Sequence, residues 1–371
     1  MKIFLSKNTL NMIILTHEQK IVVSGIINAL KKGNEQIISL GGAAGCGKST
    51  CLATLSQILP SYAICAYTGK AAQVLRKKGL DSSTIHSLIY KPFKDDEGTL
   101  EFVLKQRNEL FIDGFLVDES SMLSEDLYGD LLSFSLPIIF IGDHGQLEPI
   151  GKDINVMANP MFKLETIHRN AGEIAFFADH IRKGGKPTKF KGGDKVKFVA
   201  SSSVTDKMQA EVDQIICGFN RTRVEINNNV RNFLGKKELV EKGDRIICLR
   251  NSKPFGLFNG LQGIVDKVDL KKKKISFIAD DLYYCDVKFN GNQWGKEKNQ
   301  FEFGRDTPHP FDYAYAITCH KFQGSQCPKV MVYEQNCDLW DMKRWNYTAA
   351  SRAEEELIWV SPSTYIPKWL K

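Results

Sequence analysis

A lysine that follows a glycine-punctuated turn, two adjacent acids at the end of an apolar run, and two widely separated arginines are the residues here whose types and spacing can do chemistry. The lysine lies in Gly42-Ala-Ala-Gly-Cys-Gly-Lys48-Ser49, directly after the apolar run Ile37 to Leu40 and ahead of helix-forming sequence. That order of strand, loop and helix is the context a phosphate-binding P-loop requires. Gly45, Cys46 and Gly47 let successive backbone N–H groups turn toward one anion. Lys48 reaches the outer phosphates, Ser49 supplies a hydroxyl for Mg²⁺, and Thr50 continues the cradle into the helix N-terminus. ATP with Mg²⁺ is the ligand this pattern predicts.

A P-loop needs a second strand that brings carboxylates to the metal and to the attacking water. Phe115-Leu116-Val117 is a buried-strand pattern ending in Asp118 and Glu119. Asp118 is therefore expected on Mg²⁺ and Glu119 on the water, because adjacent carboxylates at a strand end are costly unless a cation compensates them. A third apolar strand, Pro137 to Ile141, runs into Gly142-Asp143-His144-Gly145-Gln146, which puts Gln146 where it can sense the γ-phosphate. A strand ending in Gly-Asp is by itself no more than a turn signal.

These motifs, in this order, resemble superfamily 1 helicases, and within them the 5′ to 3′ branch that includes RecD-like, Pif1-like and Dda-like enzymes. The likeness starts at Thr16-His17-Glu18-Gln19, similar to the family's Q motif, and passes through the P-loop to Tyr67-Thr68-Gly69-Lys70 and Thr84-Ile85-His86-Ser87. It continues with Asp118-Glu119-Ser120-Ser121 and Gly142 to Leu147. The second half adds Leu164 to Asn170, then Tyr315 to Ser325, then Asn346 to Ala353. The resemblance implies that Gln19 reads adenine, that Gly324 belongs to the nucleotide site, and that Arg169 and Arg352 reach the γ-phosphate across a cleft. It also implies that Tyr67, Thr68, Lys70, His86, Thr318, His320 and Ser325 hold a nucleic-acid strand. Three positions depart from the family pattern: Tyr67 and Glu148 stand where prolines are common, and Gln326 where an acid is. Arginine is the chemically apt residue in any family, since a guanidinium arriving from another domain offsets charge that spreads over equatorial phosphate oxygens.

The elements that must position these groups are expected to form an α/β fold of two RecA-like P-loop NTPase cores. The first is expected over residues 1–164 with a short hairpin pin near 89–110. The second is expected over 165–235 and 310–371, interrupted at 236–309 by a small SH3-like β-barrel whose short strands alternate with Gly, Asn and charged turns. Lys271 to Lys274 reads as a solvated hairpin tip, and the Gly/Pro-rich stretch Arg182 to Asp194 as the flexible connection between the cores.

A chain of 371 residues exceeds one ordinary hydrophobic core. Its net charge of +7 is compatible with a polyanionic partner but too mild to demonstrate one. The nine cysteines form no CxxC pair, which points to neither a zinc site nor a disulfide framework and suits a reducing, cytoplasmic compartment. The apolar run at Met1 to Leu15 is broken by polar residues and carries no leader cleavage signal. The expected function is an ATP-dependent DNA helicase. It would act as a monomer on single-stranded DNA and single-strand/duplex junctions, alongside replication or recombination proteins and away from membranes. A DNA-stimulated ATPase subunit without autonomous unwinding shares every motif, as does an RNA helicase. A P-loop nucleotide kinase would leave the second core and Arg352 without work.

Overall fold

The computed structural model describes residues 14–33, 35–94, 100–148, 155–168, 172–252, 255–279, 282–300 and 307–362. Helix α1 (His17–Lys32) starts at Thr16, whose hydroxyl accepts from the Gln19 N–H while the Gln19 side chain accepts from the Thr16 N–H. This reciprocal cap satisfies two of the donors that a helix start leaves unpaired. The P-loop follows strand β1 (Ile37–Gly42) and opens helix α2 (Lys48–Ile58). Next come β2 (Tyr62–Ala66), α3 (Gly69–Lys77), β3 (Ser82–Thr84) and α4 (Ile85–Ile89). Strands β4 (Tyr90–Lys94) and β5 (Leu100–Leu104) pair antiparallel as an isolated two-stranded excursion. The chain then enters β6 (Gly114–Asp118), α5 (Glu125–Ser133), β7 (Ile138–Gly142) and β8 (Phe162–Leu164).

The first sheet has the order β3-β2-β6-β7-β1-β8, with every neighbouring pair parallel. A parallel sheet is covered on both faces, so its central strands read as continuous apolar runs rather than alternating ones. Ile138, Ile139, Phe140 and Ile141 in β7 are accordingly all buried.

A second parallel sheet, a separate antiparallel one and their helices complete the chain. In order they are α6 (Gly172–Arg182), β9 (Val196–Ala200), α7 (Asp206–Ala210), β10 (Gln214–Cys217) and α8 (Asn220–Phe233), then β11 (Arg245–Cys248), β12 (Gln262–Asp269), β13 (Lys274–Ala279) and β14 (Leu282–Lys288). The last are β15 (Phe311–Tyr313), β16 (Ala316–Thr318), β17 (Cys327–Tyr333), α9 (Met342–Ala350) and β18 (Ala353–Ser361). The parallel sheet runs β16-β10-β17-β18-β9 and the antiparallel one β14-β13-β12-β11-β15. Lys271 to Lys273 form the turn between β12 and β13, with Lys273 left-handed at φ 51°. Two buried ion pairs fasten the antiparallel sheet to α8: Arg223 to Asp312 at 2.6 Å and Arg231 to Asp244 at 3.1 Å. Burying four charges is tolerable only with such partners, and Arg231 also lies over the Tyr313 ring.

Two expectations shift. Arg182 to Asp194 does not connect the two parallel sheets; it joins α6 to β9, and both pack on the second sheet. Phe190 within it packs on Phe177 of α6. The expected boundary at 310 falls just before β15, which pairs with β11 in the antiparallel sheet rather than in the second parallel one. The pairing partner decides, and no local sequence signal names it. Among the described residues no helix is long and apolar enough to cross a membrane.

Candidate nucleotide cleft and nucleic-acid groove

The P-loop lines one wall of a cleft of about 470 Å³ between the two parallel sheets. Gly47 caps α2 in the left-handed region at φ 85°, and a Cβ there would stand 2.1 Å from the Gln19 amide nitrogen, so only glycine fits. Lys48 Nζ donates to the carbonyls of Gly42 at 2.7 Å and Ala43 at 3.0 Å and lies 3.7 Å from Asp143 Oδ2. Those carbonyl partners are replaceable, which leaves the ammonium free to turn to a phosphate.

Across the cleft mouth, Asp118 ends β6 and Glu119 follows in the left-handed conformation at φ 52°. Burial, then the adjacent Glu119, pushes the Asp118 carboxyl up to about 6. A half-buried acid beside a second acid calls for a cation, so the donor set fits Mg²⁺, with Ser49 and Asp118 as the residues that would hold it. Asp143 is buried and accepts from the Gly145 N–H at 2.9 Å; the Gln146 amide, on the cleft wall, also reaches it. From the second sheet come Gly324, Gln326, Arg352 and Glu354.

Sequence-based expectations divide at this cleft. Gly45, Gly47, Lys48, Ser49, Asp118, Glu119, Gln146, Gly324 and Arg352 all line it. Gln19 and Thr50 are not among the lining residues. The Gln19 amide is committed to its helix cap, to the Cys46 carbonyl at 3.4 Å and to His168 Nε2 at 3.1 Å. The Cys46 side chain is fully buried, so it contributes backbone alone. Arg352 is 2% exposed, its guanidinium donating to the Thr348 and Ser325 carbonyls and to Ser351 Oγ. It stands at the wall while tied to its own helix end. Arg169 lies outside the described residues. His168 and Asp143 were not singled out from sequence, although both sit inside motifs that were.

A second cavity, of about 530 Å³, opens where the first sheet, the second sheet and the loop between β11 and β12 meet. Tyr67, Thr68, His86 and His320 line it. Lys70 and Ser325 line a smaller adjoining cavity of about 100 Å³ instead, and Thr318 lines neither. Phe258, Asn251, Asn259, Met122 and Lys321 were not anticipated there. Phe258 lies in the loop between β11 and β12, yet its ring covers Gly69, where a Cβ would meet it at 2.9 Å. Burial pushes the His320 imidazole down and, together with Arg223, lowers the Lys321 ammonium to about 8.

Two parallel sheets facing one another across a phosphate cradle define a P-loop nucleotide-binding protein with a second, partner core. Residues 15–202 match the family model described as an AAA domain, and residues 313–360 match that of the UvrD-like helicase C-terminal domain. The chain belongs to that AAA-domain family.

Among relatives, it is 24% identical over 394 residues to the conjugal transfer protein TraA of Rhizobium radiobacter, a match that covers 92% of this chain and 32% of that one. It is 33% identical over 146 residues to the uncharacterized protein MJ1519 of Methanocaldococcus jannaschii, covering 34% of this chain and 12% of that one. The chain thus spans about a third or less of the length of these relatives. In fold it is similar to Bacteroides Pif1 bound to ssDNA, with a TM-score of 0.60, 19% identity, and 96% and 94% of the two chains covered. It is equally similar to Bacteroides Pif1 helicase in complex with ADP-AlF3 and ssDNA, with a TM-score of 0.60, 20% identity, and 93% and 92% covered.

Proposed function

We propose that this chain is an ATP-hydrolysing DNA helicase that moves along single-stranded DNA 5′ to 3′ and separates duplex ahead of it. One observation carries the reading: two short segments each face both cavities. In the first, Thr68 and Gly69 line the groove while Ala71, Val74, Leu75 and Lys78 of the same helix line the cleft. In the second, His320, Lys321 and Gln323 line the groove while Gly324 and Gln326 line the cleft. On this reading, a change of nucleotide state in the cleft is passed along these two segments to the residues that grip the strand.

On this reading Lys48 and the P-loop amides hold the phosphates, Ser49 and Asp118 hold Mg²⁺, and Glu119 orients the attacking water and accepts its proton. Gln146 reports on the γ-phosphate, and Arg352 keeps its Nε on the Thr348 carbonyl while its other two nitrogens leave Ser325 and Ser351 to meet the charge that develops there. Arg169 is proposed as the companion arginine. Along the groove, hydroxyls and backbone amides suit phosphates, while Tyr67, His86 and Phe258 offer faces on which bases stack without sequence readout.

The domain assignment that goes with this is a first core to residue 164, a second core from 165 interrupted by an SH3-like insertion, and the β4–β5 hairpin as the strand-separating pin. The edge at 310 is moved to follow β15. The fold likeness to Pif1 structures supports the DNA substrate. Unwinding of matched duplexes with a 5′ or a 3′ single-stranded tail, in DNA and in RNA, tests the proposal. It expects displacement of 5′-tailed DNA only. Displacement from 3′ tails reverses the direction, ATP turnover without displacement makes the chain an accessory ATPase, and preference for RNA changes the substrate.

A further inference from the structure

Tyr347 is a residue of the second core, carried on α9, yet its hydroxyl is bonded entirely to the first. The Ala44 N–H of the P-loop donates to it at 2.7 Å, and it donates to Asp143 Oδ2 at 2.6 Å. The side chain is 1% exposed and runs past Gly145, where a Cβ would stand 3.0 Å from the ring. Other residues dock α9 and its neighbours onto the same loop: the Leu147 N–H donates to Thr348 Oγ1 at 2.9 Å, Arg344 to the Gln146 carbonyl at 3.1 Å, and Gln323 to the Leu147 carbonyl at 3.2 Å. Those contacts hold the loop after β7, whereas Tyr347 alone of this set also holds the phosphate cradle. It lies beneath the P-loop and is not among the residues lining the cleft, so nucleotide can enter without displacing it.

Arg352 follows two residues after the end of α9 and is bonded back to the Thr348 carbonyl at 3.0 Å. The helix end and its guanidinium therefore move as one body. We propose that Tyr347 is a positioning residue: its hydroxyl fixes α9, and through it Arg352, at the distance from the P-loop and Asp143 that phosphoryl transfer requires. The inference rests on the ATP-hydrolysis reading above. Removing the hydroxyl leaves the P-loop amides, Lys48 and Ser49 to bind nucleotide as before, while the arginine loses its register, and misplacement by about 1 Å is enough to cost a rate about 10²-fold.

The test is Tyr347→Phe in the full chain, read by steady-state ATP hydrolysis at saturating single-stranded DNA and by titration with a fluorescent ADP. The expected result is a kcat lower by between about tenfold and a hundredfold, with ADP affinity and KM essentially unchanged. Adding Tyr347→Phe to Arg352→Lys should then cost little more, because the two act in series. An unchanged kcat, a parallel loss of ADP affinity, or independent, multiplying losses in the double variant would each overturn the inference while leaving the ATPase reading intact. If Tyr347→Phe does not fold, replacement of Tyr347 by 4-fluorophenylalanine, which keeps the size of the side chain and removes the donated proton, is read on the same split. A wild-type chain without ATP turnover overturns the underlying reading and this inference with it.

Discussion

The nucleotide cleft and the groove beside it both lie between the two parallel sheets, but the groove draws in a loop of the antiparallel sheet as well, and the two are built by different means. In the cleft, the residues that would meet the phosphates, metal and water are of types for which the chemistry has no ready substitute: a left-handed glycine at 47, an ammonium at 48, paired carboxylates at 118 and 119. Most are supplied by short contiguous segments at strand ends. The groove is assembled from distant parts of the chain: Tyr67 and Thr68 before α3, His86 in α4, Phe258 and Asn259 in the loop between β11 and β12, and His320 and Lys321 after β16. On the proposed reading its work is to offer donors to phosphates and faces to bases, which many residue types can do. Phosphate chemistry then constrains identity, whereas the proposed strand gripping constrains placement.

The sharpest way to break that contrast is Lys48→Ala. Because Lys48 bonds only loop carbonyls and approaches Asp143, the variant should fold normally and lose ATP turnover by about 10³-fold. Circular dichroism and phosphate release read the two halves, and retained turnover would sink the cleft assignment. Arg352→Lys keeps the charge but not the planar fork, and should lower kcat by about 10²-fold at unchanged DNA affinity. A fall in DNA affinity of the same size would instead mark Arg352 as a structural tie.

On the groove side the effects should be smaller and should appear in binding. Phe258→Ala is expected to weaken binding of a fluorescent oligo-dT strand about tenfold, the loss of one base-stacking surface, without altering hydrolysis in the absence of DNA. Equal binding by both proteins would show that the ring is only packing against Gly69. Lys321 gives the mildest test. With Arg223 and Asp312 around it and its ammonium lowered to about 8, it is charged at neutral pH and loses that charge as pH rises through 8. Strand affinity should then fall by no more than about fivefold between pH 7 and 9, while Lys321→Arg, which stays charged, should show no such fall. An identical decline in both would assign the pH dependence elsewhere.

That same contrast decides what could be read in advance. The P-loop, the Asp118–Glu119 strand end and Gln146 were legible because apolar runs and turn residues mark strand ends, where a parallel sheet gathers its ligands. Tyr347 and Asp143 were not, although both lie in recognisable segments, because their bond joins positions that only the packing of α9 brings together. Phe258 left no signal either: an aromatic in a β-rich insertion reads as core until the loop is seen to reach α3. The Arg182 to Asp194 stretch misled for a related reason. Its glycines and prolines describe a turn-rich chain, but Phe190 anchors it to α6 within one sheet layer. The strands at 282–288 and 311–313 were missed as elements of the antiparallel sheet, since β14 is largely exposed and β15 is only three residues long.

The account's central claim is that the cleft and the groove are one coupled device. Phosphate release from ATP, measured against increasing single-stranded DNA, tests it most directly. A slow basal rate rising to saturation with added strand, and absent in Lys48→Ala, is the predicted result. A rate indifferent to DNA at concentrations where the strand is bound would contradict it.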